Sequence, residues 1–84
     1  MKKPLLDILQ LIYHETGDKS PITMAALENE TGLSGYIIRN HVEDLKQMGY
    51  IVEHKEGFFI SESGRYFGSG RWIWSFEMVY SQYP

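Results

Sequence analysis

Residues 31–51 constrain the fold of this chain more than any other stretch. Apolar residues recur there at helical spacing: Ile38, Val42 and Leu45. Ser34 precedes this stripe, where its hydroxyl can accept a hydrogen bond from an N–H of the first helical turn. Gly49 follows the stripe, and glycine readily takes the left-handed conformation that ends a helix. The sequence therefore predicts one well-bounded helix over residues 34–48.

Two further helices are predicted before this one. In the first, one face carries the apolar residues Leu5, Ile8, Leu9, Ile12 and Tyr13. Residues 16–21 (Thr-Gly-Asp-Lys-Ser-Pro) have the composition of a loop. Ile22 and Thr23 are expected to form a short strand, and Thr23 is also a suitable N-cap. The second helix should then run from Met24 to about Glu30.

A β-hairpin is predicted after the third helix, over residues 50–60. Tyr50–His54 and Phe58–Ile60 are rich in β-formers, and Lys55-Glu56-Gly57 supplies a short turn. Ser61 follows the hairpin and is expected to cap a short helical turn.

This order of elements resembles the winged helix-turn-helix family. Thr31-Gly32-Leu33-Ser34 resembles its turn, residues 35–48 its recognition helix, and residues 50–60 its wing. Ile60-Ser61-Glu62-Ser63-Gly64-Arg65 is similar to the Leu-Thr-x-x-Gly-Arg segment that follows the wing in many regulators. The resemblance implies an α+β fold, with three helices and a hairpin wing in residues 1–67. An aromatic C-terminal arm would occupy residues 68–84.

The resemblance also implies double-stranded DNA as partner, bound by a small transcriptional regulator with helix 34–48 in the major groove and the wing on the backbone. If the apolar stripe faces the core, the candidate DNA-binding residues are Ser34, Gly35, Tyr36, Arg39, Asn40 and Glu43, joined from the wing by His54 and Lys55. Arg39 could form two hydrogen bonds with guanine, and Asn40 could form two with adenine. Ser34 and the N–H groups of the first turn could bind a phosphate. The alternative is an ordinary solvated helix face.

Charge argues against strong DNA binding. The net charge is −3, and Glu43, Asp44, Glu53 and Glu56 lie near the same predicted surface. Glu28 stands where the family usually has a small residue, which leaves three possibilities: splayed helices, an outward Glu28, or its pairing with Arg39 or His41. A winged-helix module that binds protein without binding DNA is therefore the alternative function.

The C-terminal arm is expected to form a homodimer contact. Gly68-Ser69-Gly70 disfavours a continuous helix, and large apolar residues then alternate: Trp72, Trp74, Phe76, Met78 and Tyr80. Alternation favours a strand or extended arm, although a helix remains open. The other possibility is that the arm completes the core of its own monomer.

Other classes of function have little support. The chain has no cysteine, and His14, His41 and His54 lack the spacing of metal ligands. We expect no enzyme activity, cofactor or small-molecule substrate. No apolar run approaches the roughly 20 residues that span a bilayer, and no signal peptide is evident, so a cytoplasmic location is expected.

Overall fold

The computed structural model describes residues 1–16 and 20–72, which form an α+β fold of four helices and one hairpin. The elements in chain order are α1 (Lys3–Glu15), α2 (Met24–Thr31), α3 (Gly35–Gln47), β1 (Ile51–His54), β2 (Gly57–Ile60) and α4 (Glu62–Ser69). Helix α1 is central, because it packs against α3, β2 and α4.

Local capping explains where α2 and α3 begin and end. The Thr23 hydroxyl accepts a hydrogen bond from the N–H of Ala26 (3.1 Å), and the Ser34 hydroxyl accepts one from Ile37 (3.3 Å). Gly32 and Gly49 follow the two helices with φ of 73° and 83°. The predicted helix boundaries are confirmed to within one residue.

The hairpin is antiparallel, with Ile51 opposite Ile60 and His54 opposite Gly57. The strand predicted before α2 is reduced to a single bridge, in which Ile22 and Phe58 exchange two backbone hydrogen bonds of 3.0 and 2.8 Å. Gly57 has φ 143°, and a Cβ there would lie 2.5 Å from the carbonyl oxygen of Ile22. Glycine is therefore required where the hairpin meets this bridge.

The core joins one face of α1 to the inner faces of α2, α3 and the hairpin. Its buried apolar residues are Leu5, Ile8, Leu9, Ile12, Tyr13, Ile22, Leu27, Ile38, Val42, Leu45, Ile51, Phe58 and Ile60. All five apolar residues predicted for α1 and all three predicted for α3 are among them. The periodicity of these two helices therefore predicted their buried faces correctly.

The structure has a fourth helix, α4, where the sequence predicted three helices followed by a short helical turn. Ser61 caps it as expected, accepting from the N–H of Gly64 at 3.0 Å, but the helix continues for eight residues. Its two buried glycines lie against neighbouring elements: Gly64 against the Tyr50 carbonyl and Gly68 against the Tyr13 ring. Glycine weakens a helix by composition, but here close packing offsets that cost.

The predicted boundary at residue 67 falls inside α4, so the division into domain and arm stays a prediction. Of the candidate dimer residues only Trp72 is described. It is half-buried on its own chain, with ring centroids 5.6 Å from Tyr13 and 6.0 Å from Phe67. Trp74, Phe76, Met78 and Tyr80 lie outside the described residues.

Candidate nucleic-acid interface

The first turns of α3 present an exposed polar face. Ser34, Tyr36 and Asn40 are exposed, and Gly35 is half-buried. Tyr36 leaves 76% of its surface open, which is unusual for so large an aromatic side chain. The face lies at the N-terminal end of α3, where the first N–H groups of a helix have no partner within the helix itself.

Arg39 lies on the flank of α3 that faces the hairpin, and it is held by carboxylates. Its guanidinium donates two hydrogen bonds to the two carboxylate oxygens of Glu53 on β1, at 2.9 and 3.2 Å. It also donates to Glu43 Oε2 at 3.2 Å. The Arg39 Cζ atom lies 5.5 Å from the centroid of the buried Phe58 ring. Arg39 is therefore fixed in position across the junction between α3 and the hairpin.

Lys46 completes a four-residue cluster with Arg39, Glu43 and Glu53, here called the ion-pair junction. Its Nζ lies 2.9 Å from Glu53 Oε1 and 3.2 Å from Glu43 Oε2. Each cation thus contacts both carboxylates, and the four side chains are between 31% and 45% exposed. The charge of Arg39, which the sequence predicts to face DNA, is therefore matched by carboxylates of the same chain, and so is the charge of Lys46.

The ion-pair junction stabilises the charged form of each member. Hydrogen bonds from Arg39 and then Lys46 lower the pKa of Glu53, and those from Lys46 and then Arg39 lower the pKa of Glu43. The hydrogen bond to Glu53 is also the main cause that raises the pKa values of Arg39 and Lys46. All four groups are consequently ionised at neutral pH.

Glu28 lies at the other end of this face. It is exposed, and within residues 1–16 and 20–72 its carboxylate pairs with neither Arg39 nor His41. A methyl group at Gly35 would lie 3.5 Å from Glu28 Cδ, which places the carboxylate beside the first turn of α3. A carboxylate there interacts favourably with the helix dipole, although it also repels a phosphate at the same helix end. Of the possibilities considered for Glu28, the outward position is the one observed.

The tip of the hairpin supplies the remaining candidates, and both are exposed. His54 ends β1 directly after Glu53, and its ring stacks edge-on against Phe59 at 5.1 Å. Lys55 occupies the turn. The contact between Arg39 and Glu53 brings α3 next to this strand, so the structure places Arg39 and Glu43 beside the hairpin that carries the other two candidates.

Sequence reasoning missed two roles at this interface. Lys46 is absent from the predicted site, although the spacing of Arg39, Glu43 and Lys46 on a helix allows ion pairs at i,i+4 and i,i+3. Glu53 is predicted as one of the acidic residues that oppose DNA binding at this surface or filter its specificity, and no contact between it and Arg39 is predicted. Its direct contact with Arg39 depends on how the hairpin folds back over α3, and no local pattern signals that contact.

The comparisons with protein-family models, curated proteins and solved structures gave no match to this chain. No helix in residues 1–16 and 20–72 has the length and apolar character needed to cross a membrane. Within the same residues no group of three His, Asp or Glu side chains is arranged to hold a metal ion.

Proposed function

We propose that this protein is a winged-helix DNA-binding protein that acts as a small transcriptional regulator. The observation that carries the proposal is a capped helix, α3, whose exposed first turns stand beside a hairpin that exposes His54 and Lys55 at its tip. Helix-turn-helix proteins insert the first turns of such a helix into the major groove. In this proposal Tyr36 and Asn40 meet the DNA directly, and Lys55 contacts the backbone from the hairpin.

Arg39 has the strongest chemistry for this role. A guanidinium offers parallel N–H donors that match guanine O6 and N7 or two phosphate oxygens. Its present bidentate contact with Glu53 uses that same donor geometry. On binding, guanine or phosphate would replace Glu53 as the acceptor of these two hydrogen bonds. The other side chains of α3 would keep their conformations.

The test is selection of duplexes from a random DNA pool, followed by titration of the selected duplex at several salt concentrations. We expect binding that weakens as salt rises, because phosphate contacts release counterions. Arg39→Ala should weaken binding by about tenfold or more, as expected for one lost base contact. Arg65→Ala is the matched control, since it removes an exposed arginine from α4 rather than α3. No binding at low salt would refute the proposal.

The second candidate function is a protein-interaction module. It is favoured by the ion-pair junction, because Arg39 and Lys46 already have carboxylate partners and so contribute little net positive charge. From Ser34 to Ile60 the chain has more acidic than basic side chains. In the same titration, a protein of this class would bind no duplex at any salt concentration.

We further propose that the protein is a homodimer through its C-terminal arm. Two half-sites would then compensate for weak binding by each monomer. Light scattering on the full chain should give twice the monomer mass, and the double variant Trp74→Ser, Phe76→Ser should give the monomer mass. Tyr66→Ser is the control, since Tyr66 is an 84% exposed aromatic on α4. A monomeric parent chain would exclude the dimer.

A further inference from the structure

The carboxylate of Glu53 occupies the donors that an anionic ligand of α3 would need. Both of its oxygens accept from Arg39, and Oε1 also accepts from Lys46. A carboxylate held by a guanidinium in this way has the bidentate geometry that phosphate or guanine would adopt on the same arginine. Glu53 therefore accepts hydrogen bonds from the same donors of Arg39 and Lys46 that a phosphate or a guanine would need.

The position of Glu53 within the hairpin explains why it reaches α3. It lies opposite Phe58 in the register, on the face of the hairpin that turns toward the core. Arg39 lies over the ring of the same Phe58. A carboxylate at this position is thus directed at Arg39 by the strand itself, whereas Glu56 lies in the exposed turn and makes no ion pair in the described part of the chain.

The contact is also placed where it can be exchanged. The side chains of Arg39 and Glu53 are 43% and 31% exposed, so water and salt can reach the pair. Pairs of this kind contribute little to stability, because solvent screens them and holding both side chains costs entropy. An incoming polyanion can therefore displace Glu53 while the fold stays intact.

We propose that Glu53 is a built-in competitor for the anionic ligand of α3, and that it weakens DNA binding by occupying Arg39 and Lys46. The inference rests on the proposed function, since it concerns how tightly that same surface binds duplex DNA. It makes Glu53 a positioning residue that acts through Arg39 and touches no DNA itself. It also gives the acidic charge near α3 a specific action, which is to limit affinity for any duplex.

The experiment compares Glu53→Gln with Glu56→Gln on a fluorescently labelled duplex of mixed sequence. Both variants remove one negative charge from the hairpin, so long-range electrostatics acts on both in the same direction. Only Glu53→Gln removes a carboxylate that both Arg39 and Lys46 contact, which leaves Glu43 as the one acidic partner of these two cations within residues 1–16 and 20–72. We expect it to bind about tenfold more tightly than Glu56→Gln, because Arg39 and Lys46 then share one carboxylate partner instead of two and can donate to the duplex. Its slope of log affinity against log salt should be steeper by about one for each further phosphate that Arg39 and Lys46 neutralise.

If Glu53 had a purely structural role, Glu53→Gln would weaken duplex binding instead, because it would loosen the junction between α3 and the hairpin. The double variant Arg39→Ala, Glu53→Gln should lose most of the increase in affinity. If the parent chain and Glu56→Gln bind but Glu53→Gln binds no more tightly than Glu56→Gln, the inference is wrong and the proposed function stands. If no variant binds at low salt, both fail. Circular dichroism on each variant tests whether the fold is retained.

Discussion

Outside the apolar core, two junctions join the hairpin to the helices in the part of the chain that the structure describes, and they are built from different interactions. On one side, here called the buried junction, neutral hydrogen bonds and close backbone contact join the hairpin to α1 and α4. The residues of this junction are Thr16, Tyr50, Ile60 and Gly64. On the other side the ion-pair junction joins it to α3 through exposed charges. Buried contacts of the first kind hold a fold, whereas exposed ion pairs can be rearranged by solvent or ligand.

Thr16 shows how specific the buried junction is. The residue is 1% exposed, and its hydroxyl donates to the carbonyl of Ile12 at 2.6 Å while accepting from the N–H of Ile60 at 3.1 Å. One hydroxyl thus satisfies two backbone groups at the end of α1 and the end of β2. The ion-pair junction differs, since each of its members also reaches solvent. The difference predicts that stability depends on the first junction and ligand affinity on the second.

Gly64→Ala should have the largest effect on stability. A Cβ at this position would overlap the carbonyl group of Tyr50, so the backbone of α4 or of the hairpin must move. We expect the free energy of unfolding in urea to fall by about 3 kcal/mol or more, at the upper end of overpacking effects. Alanine would otherwise stabilise the helix by about 0.5–1 kcal/mol relative to glycine. The net change in the free energy of unfolding is therefore negative only because the steric cost is larger.

Gly35→Ala is the control for this variant. A Cβ there would meet no atom closer than 3.5 Å, which is ordinary contact. It should therefore leave stability unchanged or raise it slightly. Equal destabilisation by the two substitutions would show that the close approach at Gly64 does not hold α4 in place.

Thr16→Val should have the next largest effect. Valine has nearly the same shape but no hydroxyl, so the buried N–H of Ile60 loses its acceptor. We expect a loss of about 1–3 kcal/mol, the cost of leaving one buried polar group unsatisfied. Thr16→Ser keeps the hydroxyl and should lose less. If serine destabilised the protein more than valine, packing of the methyl group rather than hydrogen bonding would explain the burial of Thr16.

The two junctions also differ in what the sequence revealed. Helix α3 is predictable because its signals are local: a cap at Ser34, a stripe of apolar residues and Gly49. Thr16 falls at the start of the predicted loop, and its partner Ile60 lies 44 residues away. The Gly-Arg segment is recognisable as a motif, but the contact of Gly64 with Tyr50 requires the fold. Pairing within α3 follows from spacing along a helix, whereas the reach of Glu53 to Arg39 does not.

The smallest expected effect is the pH dependence of the contribution that Glu53 makes to the free energy of unfolding. It distinguishes the ion-pair junction from the buried junction most directly. Arg39 and Lys46 lower the pKa of Glu53 below its usual value of 4.5, so the native state binds fewer protons at this group than the unfolded chain does. Its contribution is therefore fully present above pH 4.5 and is lost as pH falls below that value. At neutral pH, Glu53→Gln should lower the free energy of unfolding by less than about 1 kcal/mol, because the pair is exposed.

The measurement is urea unfolding of the parent chain, Glu53→Gln and Thr16→Val from neutral pH to below pH 4.5, since urea adds no ionic screening. The difference between the parent and Glu53→Gln should shrink toward zero as pH falls, because protonation removes from the parent the charge that the variant already lacks. Thr16→Val changes no titrating group, so its difference from the parent should stay constant. A difference for Glu53→Gln that did not change with pH would mean that the carboxylate charge does not hold α3 against the hairpin.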